Sequence, residues 1–148
     1  MDFLRDLLGN RMLGSAVLGW AVAQIAKAAI DYFYFRKFSL ERLLGSGGMP
    51  SSHASTVAAM ATTAACEYGA GSAQFAISVV LALVVMYDAC GVRREAGEHA
   101  RLLNALNATL DKNLSPEDML KELLGHTPMQ VLAGAVLGIV LGVILNLP

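Results

Sequence analysis

The chain has 148 residues and a net charge of −1, room for a single domain and no overall field that would gather nucleic acid. Hydrophobic residues make up 55% and charged residues 16%, against about 25% charged in an ordinary soluble domain, so the composition points to a membrane. The two cysteines, Cys66 and Cys90, lie in or beside apolar runs without CxxC or metal-ligand spacing, which argues against zinc and for small buried hydrophobes.

The opening stretch MDFLRDLLGNRMLG mixes acidic and basic residues, unlike a cleaved signal peptide, and suits an amphipathic turn or two at a membrane surface. The first apolar span follows over residues 12–35, interrupted by Lys27 and Asp31. A basic, glycine-rich loop over 36–49 leads to a second span, about 50–66, rich in Ala, Ser and Thr. After the short EYGAGS turn the third span, about 68–88, carries no charge before Asp88. Residues 93–126 are polar with helical patterning, and Ser115-Pro116-Glu117-Asp118 reads as a helix start. The fourth span, 127–147, places Gly134, Gly138 and Gly142 four residues apart, on one face where another helix can approach closely.

The expected fold is therefore all-α: a polytopic membrane bundle of about four transmembrane helices in a single domain, with one or two interfacial helices in the polar segment. A soluble helical bundle is the rival, but its helices would each show a polar face, and the third and fourth spans show none. Four spans place both termini on one side. The loops on the other side carry Arg36, Lys37, Arg42, Arg93, Arg94, Arg101, Lys112 and Lys121, against Arg5 and Arg11 on the termini side. The positive-inside rule then puts the loops in the cytoplasm.

That side also gathers the histidines. His53 opens the second span, His126 opens the fourth, and His99 lies in the polar segment, with Arg93 and Arg94 just after the third span. Lys27 lies inside the first span and Arg36 ends it. A lysine within a span is a functional candidate, the alternative being a stem that snorkels to the interface. Helix starts offer free N–H groups and a positive dipole end. Two of them flanked by His and Pro, with guanidinium groups nearby, make an anion site for which phosphate is the leading ligand.

The segment GGMPSSH resembles the PSGH motif of the type-2 phosphatidic acid phosphatase superfamily, which includes vanadium haloperoxidases, and HTPMQVLAGAVLG resembles its HxPxDVxAGxxxG motif. With YDACGVRREAGEHA and ELLGHTP, nearly the whole chain resembles the divergent branch of that superfamily. Three departures stand out. Lys27 is followed by eight residues, Arg36 and no proline, where the superfamily has six residues and Arg-Pro. His99 keeps the usual spacing from Arg93, but His126 has the motif's downstream residues, so segment 95–125 reads as an insertion that splits the motif. Gln130 replaces the aspartate that orients the imidazole.

The resemblance implies a metal-free lipid phosphate phosphatase. His126 would attack phosphorus to give a phosphohistidine, and His53 would donate a proton to the leaving alcohol. Lys27, Arg36, Arg93, Arg94 and Ser52 would bind the phosphate oxygens. Asp88 or Glu98 could orient an arginine or replace the missing aspartate, an ordinary ion pair being the alternative for either. No cofactor is implied, and the partners are a lipid phosphate and the bilayer. Four spans are few for this superfamily, which suggests a homodimer. A non-catalytic membrane protein retaining a phosphate or headgroup site is the functional alternative, and a structural protein using its glycine-rich span for helix packing is another.

Overall fold

In a computed structural model, residues 2–35, 48–110, 119–122 and 124–148 are described, and among them every element is an α-helix. They are α1 (Asp2–Leu8), α2 (Arg11–Phe35), α3 (Ser52–Tyr68), α4 (Ala73–Cys90), α5 (Val92–Leu110) and α6 (Pro128–Leu145). Arg36 and the helix start expected at Ser115 lie outside the described residues.

The bundle is organised around α3, which packs against α2, α4 and α6. Nine of its residues are buried, and each is Ala, Ser, Thr or Val. Its neighbours instead turn long apolar side chains outward: Ile77, Val80, Leu83 and Val84 of α4, and Leu132, Val136 and Ile139 of α6 are all exposed. This is the distribution expected in lipid, where association depends on close packing of small residues because lipid tails already satisfy the large apolar ones.

The glycine face of α6 meets α3 directly. A side chain at Gly134 would fall on the Ser51 carbonyl oxygen, one at Gly138 on that of Ser55, and one at Gly142 on the Thr62 side chain. On the opposite flank Gly19 of α2 lies against Ser55 and Ala59, and Ser55 Oγ donates to the Gly19 carbonyl at 2.9 Å. The sequence expectation for the glycine-bearing span thus corresponds to a helix contact.

Among the described residues, three stretches are long and apolar enough to cross a membrane: Arg11–Phe33, Ala73–Leu110 and Pro128–Leu145. The expectation of four rests on α3, whose 17 residues rise about 26 Å, short of a hydrocarbon core of about 30 Å. The ends of the bundle are distinct. At one, Arg11 pairs with Glu67 (3.3 Å) and donates to the Leu145 carbonyl (2.8 Å), while Asn146 Nδ2 donates to Thr63 Oγ1 (3.1 Å). At the other, the starts of α3 and α6 meet the end of α4.

Candidate active site

Two helix starts form the floor of that second end. Ser51 caps α3 by accepting from the Ala54 N–H. Thr127 caps α6 in a capping box: its hydroxyl accepts from the Gln130 N–H, and Gln130 Oε1 accepts from the Thr127 N–H at 3.0 Å. The Ser51 N–H donates to the Gln130 carbonyl at 3.0 Å, tying the two starts together. The His126 N–H donates to the Ala89 carbonyl at 2.8 Å, which fastens it to the last turn of α4.

These contacts bring His53, in the first turn of α3, within 6.0 Å of His126 between ring centroids, with the planes at 60°. His53 is half-buried and His126 is 2% exposed. Neither ring nitrogen of His126 makes a hydrogen bond of ordinary geometry among the described residues. Burial holds its imidazole below the usual histidine range; Gln130 pulls the other way, and the charges of Lys27, His53 and Arg93 add to the depression. The ring is therefore neutral near pH 7, with a lone pair free.

Lys27 is 1% exposed, so its amine does not snorkel out of the bundle, and Nζ has no hydrogen-bond partner among the described residues. Gly48 lies over its stem, and Asp31, one turn on, is the acidic charge that acts on it. Its own charge acts on both histidines. So does that of Arg93, whose Nε donates to Asp88 Oδ2 at 2.5 Å. Asp88 also acts on His53. A buried amine and a buried imidazole, neither with a hydrogen bond of ordinary geometry among the described residues, thus lie within electrostatic reach of one another.

The expected residues do not all gather here. Ser52 is buried in the first turn of α3, next to the cap. Arg94 is exposed, and its backbone lies under Gly125. Gly125 has φ of +80°, and a Cβ there would lie 2.8 Å from Arg93 C and Arg94 Cα, so both conformation and space call for glycine. Glu98 pairs with Arg101 (3.3 Å) on the exposed side of α5, the ordinary ion pair that stood as the alternative reading for it. His99 is exposed on the same helix. Gln130 is at the site, but its side-chain oxygen is engaged by the α6 cap.

Two contributors were not singled out from the sequence. Ser51, the fully buried cap of α3, carries the N–H that joins the helix starts; the PSSH string offered two serines, and the resemblance pointed to Ser52. The Thr127–Gln130 box was legible as Thr-x-x-Gln ahead of an apolar run, and the likeness to the aspartate motif hid it.

A family model described as the Divergent PAP2 family matches residues 8–141. The chain belongs to this family. It is also 37% identical over 152 residues to "Uncharacterized membrane protein YuiD" of Bacillus subtilis (strain 168), across 95% of this chain and 96% of that protein. No solved structure matches the chain. With its three apolar helices, this member of the Divergent PAP2 family is an integral membrane protein.

Proposed function

We propose that this protein is a membrane phosphatase that hydrolyses a lipid phosphate monoester through a phosphohistidine, with its active site on the cytoplasmic face. The observation that carries the reading is the His53–His126 pair at 6.0 Å, flanked by the charges of Lys27 and Arg93.

In the first step a ring nitrogen of neutral His126 attacks phosphorus. An N–P bond forms, the P–O bond to the lipid alcohol breaks, and the departing oxygen takes a proton from His53. Lys27 and Arg93 offset the negative charge on the phosphoryl oxygens, joined by Arg94, Ser52 and Arg36 if these close on the bound phosphate. In the second step His53, now neutral, takes a proton from water as the water attacks phosphorus. The N–P bond breaks, and inorganic phosphate and free His126 are released. The half-buried His53 stands nearer solvent than His126, as suits a group that serves both leaving alcohol and entering water. A site at the end of a bundle whose outer helices are apolar, where a headgroup would lie, supports a lipid substrate.

One observation favours the alternative, a non-catalytic protein that binds a phosphate or headgroup. The position of the family's imidazole-orienting aspartate is Gln130, and its oxygen is committed to the Thr127 N–H. Phosphate release by the purified protein from phosphatidate, phosphatidylglycerophosphate and prenyl phosphates, with and without a chelator, separates the two. Turnover that survives chelation is expected. Binding of these lipids without turnover of any would establish the alternative.

A further inference from the structure

Between Arg93 and His126 the chain runs out along α5, and the described residues before His126, 119–122 and 124–125, lie back along that helix. Asn104 of α5, 7% exposed, accepts from the Leu120 N–H at 3.0 Å through Oδ1. Its Nδ2 donates to the Leu120 carbonyl at 2.9 Å and to Glu122 Oε1 at 2.8 Å. Two turns earlier a Cβ on the buried Gly97 would lie 2.6 Å from the Glu122 carbonyl oxygen and 3.1 Å from that of Leu124. Gly125 lies on the Arg93–Arg94 backbone, and His126 bonds to Ala89. The contacts therefore run in reverse order along α5, ending at the candidate nucleophile. Among the described residues, Asn104 supplies the side-chain hydrogen bonds that hold the returning segment.

We infer that Asn104 is a positioning residue for His126: its amide latches the returning segment onto α5, and that segment delivers His126 to the end of α4 facing His53. An amide suits the task because one planar group both donates and accepts, reading the Leu120 peptide on both sides as a neighbouring strand would. Most of its polar capacity is used on this one segment, so few alternative placements would satisfy it. Asn104 is far from the reacting atoms along the chain and acts only through the segment it holds. The kinetic part of the inference rests on the phosphatase reading; the placement of His126 does not.

The full-length protein in detergent supplies the test, with diethyl pyrocarbonate as a probe of each histidine by peptide mass. In the unmodified protein His126, being 2% exposed, should react slowly and the exposed His99 fast. N104A retains a strong helix former in α5 but removes the latch. His126 should then react about tenfold faster through local opening, with His99 unchanged. On a lipid phosphate, kcat should fall by about 10- to 100-fold from misplacement of the nucleophile, while KM, set by the cations, stays put. N104D should reproduce the defect by setting two carboxylates against each other. Adding E122Q to N104D should partly reverse both readouts, because a donor again faces an acceptor at residue 122 while the Leu120 carbonyl stays without its donor. If His126 stays as protected in N104A and N104D as in the parent, or if the double variant shows no recovery, the assignment is wrong. If even the parent releases no phosphate, the phosphatase reading fails, and the labelling rates still decide the role of Asn104.

Discussion

At His126, burial and nearby cations act in one direction, and this has consequences for both chemistry and stability. A His126→Ala variant should lose measurable turnover and form no acid-labile phosphoenzyme from labelled substrate. His53→Ala should still form it from substrates with good leaving groups, since only proton donation is lost, and His99→Gln should stay active. A phosphoenzyme that survived in His126→Ala and vanished in His99→Gln would make the spacing from Arg93 the better guide to the nucleophile. The stability effect follows from the depressed titration of His126. The unfolded chain takes up a proton first, at about pH 6.5, so the contribution is complete above that value and is lost as acidification continues through the lower folded value. Thermal midpoints in detergent should fall between about pH 7 and pH 5 more steeply for the parent than for His126→Asn. Arg93 offers a second test. Its bond to Asp88 is partly exposed and contributes little stability, but it fixes the guanidinium. Lysine has no such planar fork, so Arg93→Lys should lose roughly 10- to 100-fold in kcat/KM, the equivalent of a charge-assisted hydrogen bond. Full activity in that variant would remove Arg93 from the site.

Among the helices, α3 and α6 carry the closest contact, and glycine substitutions should report it. A Cβ on Gly138 would meet the Ser55 carbonyl and, at 2.9 Å, the Ala59 nitrogen; these are backbone atoms and cannot step aside. Gly138→Ala should cost about 1–3 kcal/mol. Gly14 of α2 has nothing within 4 Å of such a Cβ, so Gly14→Ala should stabilise by about 0.5–1 kcal/mol. Opposite shifts of the thermal midpoint would check the pair. This contact was legible in the sequence because a four-residue glycine spacing has few other uses in an apolar helix. The centrality of α3 was less so: its Ala, Ser and Thr content read as a weak span, whereas the same residues are what three packed neighbours require. The two histidines could be placed at helix starts because Pro50 and Pro128 mark them. Asn104 could not be found, since a lone amide on a helix has no local signature and its partners lie in irregular chain. For Glu98 the sequence left two uses open, and its pair with Arg101 on the exposed side of α5 is the plainer of them.

For the molecule as a whole, the arrangement of its two ends bears on how it sits in the membrane. Arg11, Glu67 and the end of α6 meet at one end, the histidines at the other. If α3 crosses the bilayer, Cys66 and Cys90, both free thiols, face opposite sides. In single-cysteine variants a membrane-impermeant maleimide should label Cys66 from outside intact cells and Cys90 only after the membrane is opened. The reverse pattern would turn the protein over. Labelling of both from one side would mean that α3 does not cross.

The stripe of glycines also raises a problem of alignment. Gly134, Gly138 and Gly142 repeat every four residues, and so do the α3 positions beneath the first two of them, Ser51 and Ser55. A slip of α6 by one turn would bring Gly138 over Ser51 and Gly142 over Ser55, so the repeat behaves like a ratchet with more than one notch. The notch is chosen by groups that do not repeat: the Ser51 N–H on the Gln130 carbonyl at one end and Asn146 on Thr63 at the other. One step along that ratchet, four residues or about 6 Å, would carry His126 away from His53 by about the present separation of their rings. The same slip would set Asn146 where Gly142 now meets Thr62, with its Cβ 2.6 Å from that side chain, so the end of the glycine stripe and the polar bonds at the two tips together fix the alignment in which the histidines face each other.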